Sequence, residues 1–110
     1  MENEKAMEIE LFGRKYEIEF TTDVWYFIEE KYNCGIGQAI GTHLGLRLAT
    51  DIVYKALRDQ DVTVDYKAVR DEMAAFSSKH GFERMATFIS DLVTRSGALG
   101  EKKGKNGQTS

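Results

Sequence analysis

Apolar and acidic residues alternate near the start of the chain. Met7, Ile9 and Leu11 are separated by Glu8 and Glu10, and Tyr16, Ile18 and Phe20 by Glu17 and Glu19. A period of two is the pattern of a half-buried strand. Between the runs, Phe12-Gly13-Arg14-Lys15 suits a tight hairpin turn, with Gly13 taking a positive φ at the first turn position. Closing the hairpin there pairs Leu11 with Tyr16, Ile9 with Ile18 and Met7 with Phe20, so each apolar side chain meets an apolar partner. The same register sets Glu8 against Glu19 and Glu10 against Glu17 on the other face. That face reads either as a solvated surface or as an acidic patch for a basic partner.

A lone hairpin is marginal in water, so its apolar face needs a cover, and the rest of the chain supplies helices. Thr22 or Asp23 is placed to cap a helix running to about Tyr32, with Val24, Phe27, Ile28 and Lys31 on one side. Asn33-Cys34-Gly35 reads as its stop. The stretch 35–45 holds Gly35, Gly37, Gly41 and Gly45, yet Ile36, Ile40 and Leu44 keep a four-residue spacing, which predicts a short helix or turn. Its glycines read as a connector that allows close helix approach. From Leu46, Ala49, Ile52, Val53, Ala56 and Leu57 form one helical stripe that ends near Asp59-Gln60-Asp61. Thr63 is the expected cap of the next helix, whose stripe is Tyr66, Val69, Met73 and Phe76 and whose stop is Gly81. The last helix starts near Phe82 and presents Met85, Ala86, Ile89, Leu92 and Val93. The expected fold is α+β: an N-terminal β-hairpin packed on a small bundle of three to four α-helices. Residues 1–97 form the single domain and 98–110, rich in Gly, Lys, Asn, Gln, Thr and Ser, a flexible tail.

Composition narrows the function classes. With 110 residues, 42% hydrophobic and 30% charged, the chain fits one globular core. No run approaches the roughly 20 apolar residues of a membrane span, and Met1-Glu2-Asn3-Glu4-Lys5 is too acidic for a secretory signal. The single cysteine, Cys34, forms no intrachain disulfide and fits a reducing compartment, so a cytoplasmic location is expected. A net charge of -3 argues against a general nucleic-acid binder.

No set of residues carries recognisable chemistry, so no enzymatic activity, cofactor or metal is expected. Cys34 lacks a neighbouring base and reads as structural. His43 and His80 lack a second ligand at helical spacing and read as surface or helix-terminal residues. Gly35-Ile36-Gly37-Gln38-Ala39-Ile40-Gly41 has a spacing one residue too long for a dinucleotide fingerprint and follows a helix instead of a strand. The acid pairs Glu29-Glu30, Asp59/Asp61 and Asp71-Glu72 sit beside Lys or Arg and read as solubilising. A DNA-binding helix-turn-helix centred on Gly81 is the competing reading, but its second helix offers only Arg84 and Arg95 as cations.

The order of these segments resembles the phage tail assembly chaperones of long-tailed phages. Glu8-Ile9-Glu10-Leu11-Phe12-Gly13-Arg14-Lys15-Tyr16-Glu17-Ile18 is similar to that family's opening: strand, glycine turn, strand, then directly a helix. Phe27-Ile28-Glu29-Glu30-Lys31-Tyr32 is similar to its first helix. Ala49-Thr50-Asp51-Ile52-Val53-Tyr54-Lys55-Ala56-Leu57 is similar to its central helix, and Val62-Thr63-Val64-Asp65-Tyr66 to the entry of the next. The resemblance spans about residues 7–99 and rests on order and pattern. The glycine-rich 35–45 stretch and the Trp25-Tyr26 pair have no match in it. It implies a non-virion assembly factor that coats the tape measure protein, keeps it soluble and helps recruit tail tube subunits. Some members self-associate, and many also exist in a longer, frameshifted form; Lys102-Lys103 is compatible with a slippery A-rich codon run. For such a role the candidate partner-binding residues are Glu8, Glu10, Glu17, Glu19, Trp25 and Tyr26. The aromatic pair reads equally as the completion of a small core.

Overall fold

The computed structural model describes residues 3–100. Strands β1 (Met7–Leu11) and β2 (Arg14–Ile18) form an antiparallel hairpin. Helices α1 (Thr22–Tyr32), α2 (Ile36–His43), α3 (Leu46–Asp59), α4 (Tyr66–His80) and α5 (Phe82–Ser96) follow. The α+β class and the leading hairpin are as expected. The described residues hold five helices because the glycine-rich stretch is a helix in its own right.

The hairpin register differs from expectation by two residues. Met7 opposes Ile18, Glu8 opposes Glu17, Ile9 opposes Tyr16, Glu10 opposes Lys15 and Leu11 opposes Arg14. The loop is Phe12-Gly13, at φ 56 and 72, instead of Gly13-Arg14. Two successive positive φ values give the mirror-image turn whose twist suits a hairpin. A slip of two preserves the faces, so Ile9, Leu11 and Ile18 are still buried, while Phe20 leaves the ladder and is buried beyond it. Glu10 now faces Lys15, and a single opposed acid pair, Glu8–Glu17, replaces the two expected ones. Phe12 in the left-handed region costs about 1–2 kcal/mol. Its N–H donates to Glu72 Oε1 on α4 at 2.9 Å, fixing the hairpin tip to the bundle. Glu72 is therefore an anchor as well as a solubilising residue.

Each helix start has a local cause. The cap of α1 is Thr21, not Thr22 or Asp23: its Oγ1 accepts from Val24 N–H at 3.3 Å. Asn33 in the left-handed conformation ends that helix. The cap of α4 is Asp65, not Thr63, accepting from Ala68 N–H at 3.2 Å. A single residue, Gly81 at φ 98, joins α4 to α5.

Helix α3 is the axis of the domain. All residues from Leu48 to Val53 are buried, as are Ala56 and Leu57, and α1, α2, α4, α5 and β2 all pack on it. Val69 and Met73 of α4 and Met85, Ile89, Leu92 and Val93 of α5 complete the core. Tyr66, Phe76 and Ala86, expected in the buried stripes, are half-buried at its edge. Ala98 packs against the core and its N–H donates to Ser96 Oγ at 3.0 Å. The rest of the expected tail, residues 101–110 with Lys102-Lys103, lies outside the described residues.

The glycines of α2 do not serve close packing. A Cβ at Gly37 or Gly41 would meet nothing within 4 Å. Helical glycine costs about 0.5–1 kcal/mol relative to alanine. Gly41→Ala is therefore expected to raise stability by up to about 1 kcal/mol in urea unfolding. A loss of stability instead would show that the α2 backbone must bend at this point.

Candidate functional site

The proposed partner-binding residues occupy two surfaces. Glu8, Glu10 and Glu17 are exposed on the outer face of the hairpin, and Glu19 is half-buried, accepting from Asn3 Nδ2 at 2.7 Å. Trp25 and Tyr26 lie on α1 and, with Thr22 and Glu29, line a cavity of about 260 Å³ that has no hairpin residue in its lining. The pair divides in role. Trp25 packs against the core, whereas Tyr26 is 70% exposed, far more than a core-completing aromatic.

The indole is held in place. Trp25 Nε1 donates to Glu29 Oε2 at 2.8 Å, and the same oxygen accepts from Ile36 N–H at 2.9 Å. Glu29 thus serves as the missing cap of α2, whose N-cap Gly35 has no side chain to offer, and couples that helix start to the aromatic platform. Its position seven residues before Ile36 gives no local sequence signature.

A second constellation was not anticipated. Asp51, on α3, is fully buried and accepts three donors: Lys31 Nζ at 2.8 Å and Tyr66 OH at 2.6 Å on Oδ1, and Tyr32 OH at 2.6 Å on Oδ2. A buried carboxylate requires such compensation. Lys31 Nζ also lies 5.3 Å from the Tyr66 ring centroid and 5.8 Å from that of Phe27, and Tyr54 packs edge-on against Tyr66 at 5.3 Å. The result ties α1, α3 and α4 together through one acid. Burial, then the bond to Asp51, pushes the Tyr66 phenol up from 10.0 to about 12. The same causes in the same order raise Tyr32 further. Both phenols therefore stay protonated and serve as donors throughout the neutral range. The one available signal was an acid flanked by the apolar stripe of α3, between Leu48 and Ile52.

Beside this cluster, Lys31, Tyr32, His43 and Arg47 line a cavity of about 340 Å³ where α1, α2 and α3 meet. The His43 ring lies 5.5 Å from Tyr32. His43 and His80 are the last residues of α2 and α4, both exposed, and Cys34 is half-buried between α1 and α2. The α4–α5 joint is shorter than the turn of roughly three to four residues in a helix-turn-helix. Phe82, Glu83, Arg84 and Thr87 are exposed at the start of α5. Among the described residues, no helix is long and apolar enough to cross a membrane. No protein-family model, curated protein or solved structure matches the chain significantly.

Proposed function

We propose that this chain is a tail assembly chaperone of a long-tailed phage or prophage. In this reading it acts in the host cytoplasm, binds the tape measure protein, keeps it soluble and helps bring tail tube subunits to it. The observation that supports partner binding, separate from the family pattern, is the aromatic platform on α1: Tyr26 is 70% exposed beside an indole that Glu29 has already fixed. A protein that holds a long helical partner needs apolar contact area that is rigid before binding, because little side-chain freedom is then lost in the complex. The order of hairpin leading directly into α1 agrees with the pattern on which the family resemblance rests. The outer glutamates of the hairpin add a negative surface that favours encounter with basic segments.

Co-expression with the tape measure protein encoded beside this chain tests the reading. Co-purification and recovery of soluble partner are the expected results. Tyr26→Ala, at an exposed position, is expected to weaken capture by about tenfold or more, the effect of losing an interface anchor. Replacing Glu8, Glu10, Glu17 and Glu19 by Gln is expected to slow association and reduce its salt dependence. A folded protein lacking Tyr26, Trp25 and these four acids that still captures the partner fully would remove both surfaces from the reading. Failure of capture by this chain and by a translationally extended form would remove the function itself.

A further inference from the structure

The cavity lined by Lys31, Tyr32, His43 and Arg47 lies in a chain whose net charge is -3, yet three of its four lining residues are basic. We propose that it binds a carboxylate side chain of a partner protein. Arg47 is exposed and forms no ion pair with any described residue, whereas Lys31 is committed to Asp51. Arg47 also stands in the first turn of α3, a turn with no acidic residue. A cation there opposes the helix dipole, and a bound anion beside it relieves the conflict.

Two of the other lining residues are held before any ligand arrives. Lys31 and Tyr32 are held by the two oxygens of buried Asp51, and the His43 ring rests against Tyr32. Binding therefore spends little side-chain freedom on Lys31 and Tyr32.

Charge selects the class of ligand. Counting the ammonium, the guanidinium and the buried carboxylate, Lys31 and Arg47 set against Asp51 leave a single positive charge. One carboxylate cancels it; a phosphate dianion overshoots it within an acidic protein. The planar guanidinium accommodates both carboxylate oxygens through parallel N–H donors. The inference is independent of the chaperone reading, because this cavity shares no lining residue with the one around Trp25 and Tyr26.

The test is a heteronuclear NMR titration of the full chain that follows the Arg47 guanidinium N–H and the amides of Lys31 and His43. The probes are a capped oligoglutamate peptide, its oligoglutamine counterpart and inorganic phosphate. Oligoglutamate is expected to give saturable shifts confined to this corner, which weaken with added salt. Oligoglutamine is expected to give none. Arg47→Ala, an exposed change that leaves the core intact, is expected to lower oligoglutamate affinity by about tenfold or more, and Arg47→Lys to retain part of it. Three results would each overturn the proposal: no saturable shift with oligoglutamate, shifts that persist unchanged in Arg47→Ala, or saturation by phosphate in preference to oligoglutamate.

Discussion

Asp51→Ala is expected to lower the free energy of unfolding by about 3 kcal/mol, measured as a shifted urea midpoint with an unchanged slope. The carboxylate is fully buried and accepts from Lys31, Tyr32 and Tyr66. Breaking a buried ion pair by removing one partner typically costs about 3–5 kcal/mol, because the other charge is stranded. Here the stranded charge is Lys31, whose side chain is 34% exposed, so water resolvates part of it and the lower end applies. The two phenols lose their acceptor in half-buried settings and add to the loss. A change below about 1 kcal/mol would show that the carboxylate is effectively solvated.

Alkaline titration gives a separate readout of the same cluster. The folded protein holds the Tyr66 proton up to about pH 12, while the unfolded chain releases it near 10.0. The folded state binds more protons between those values, so the contribution of the phenols is complete below pH 10.0 and is lost as pH rises toward about 12. Tyr32, raised in the same direction, extends that decline upward. In Asp51→Ala the burial of both rings remains while the bond and the negative charge are gone. Ultraviolet titration should therefore show both phenols ionising at lower pH than in the parent. Unchanged phenol titration would mean that burial alone sets their behaviour.

Ile52→Ala is expected to cost about 3–4 kcal/mol, and Ile52→Val about 1 kcal/mol, by the same urea measurement. Ile52 is 0% exposed at the middle of the helix on which every other helix packs. Truncation removes buried apolar surface and leaves a cavity that helices on several sides cannot all close. In a domain of this size that is a large share of total stability. A loss under about 1 kcal/mol would mean that the core collapses readily around α3, and its central role would fall.

Much of the architecture was legible because it follows from spacing. The alternation of Met7 to Leu11 and Tyr16 to Phe20 and the stripe from Ala49 to Leu57 identify strands and helix through periods of two and 3.6. The turn was misplaced by one position because Gly13 draws attention to itself, whereas Phe12 reaches a positive φ only with the help of Glu72, distant in sequence. Two caps were misassigned for a related reason. Thr21, Thr22 and Asp23 are all competent caps, as are Thr63 and Asp65, and only packing chooses among them.

The site was less legible than the fold. Tyr26 stands out in the sequence as bulky and off the helical stripe, but its exposure depends on how α1 is rotated against α3. Glu29 reads as one of a solubilising pair, yet it joins Trp25 to the start of α2. The Asp51 cluster and the basic cavity beside it draw on four helices, so no window of neighbouring residues contains them.

The contact at the C-terminal end of α5 has a topological consequence. Arg95 Nη1 donates to the carbonyls of Glu4 and Ala6, 91 and 89 residues away along the chain. The backbone path from Glu4 to Arg95 thus returns to where it set out, and this stretch is close to a closed ring with a guanidinium as its clasp. A short covalent bridge at that corner would change little in the folded geometry. It would act on the unfolded chain, removing the freedom of a loop that spans nearly the whole domain.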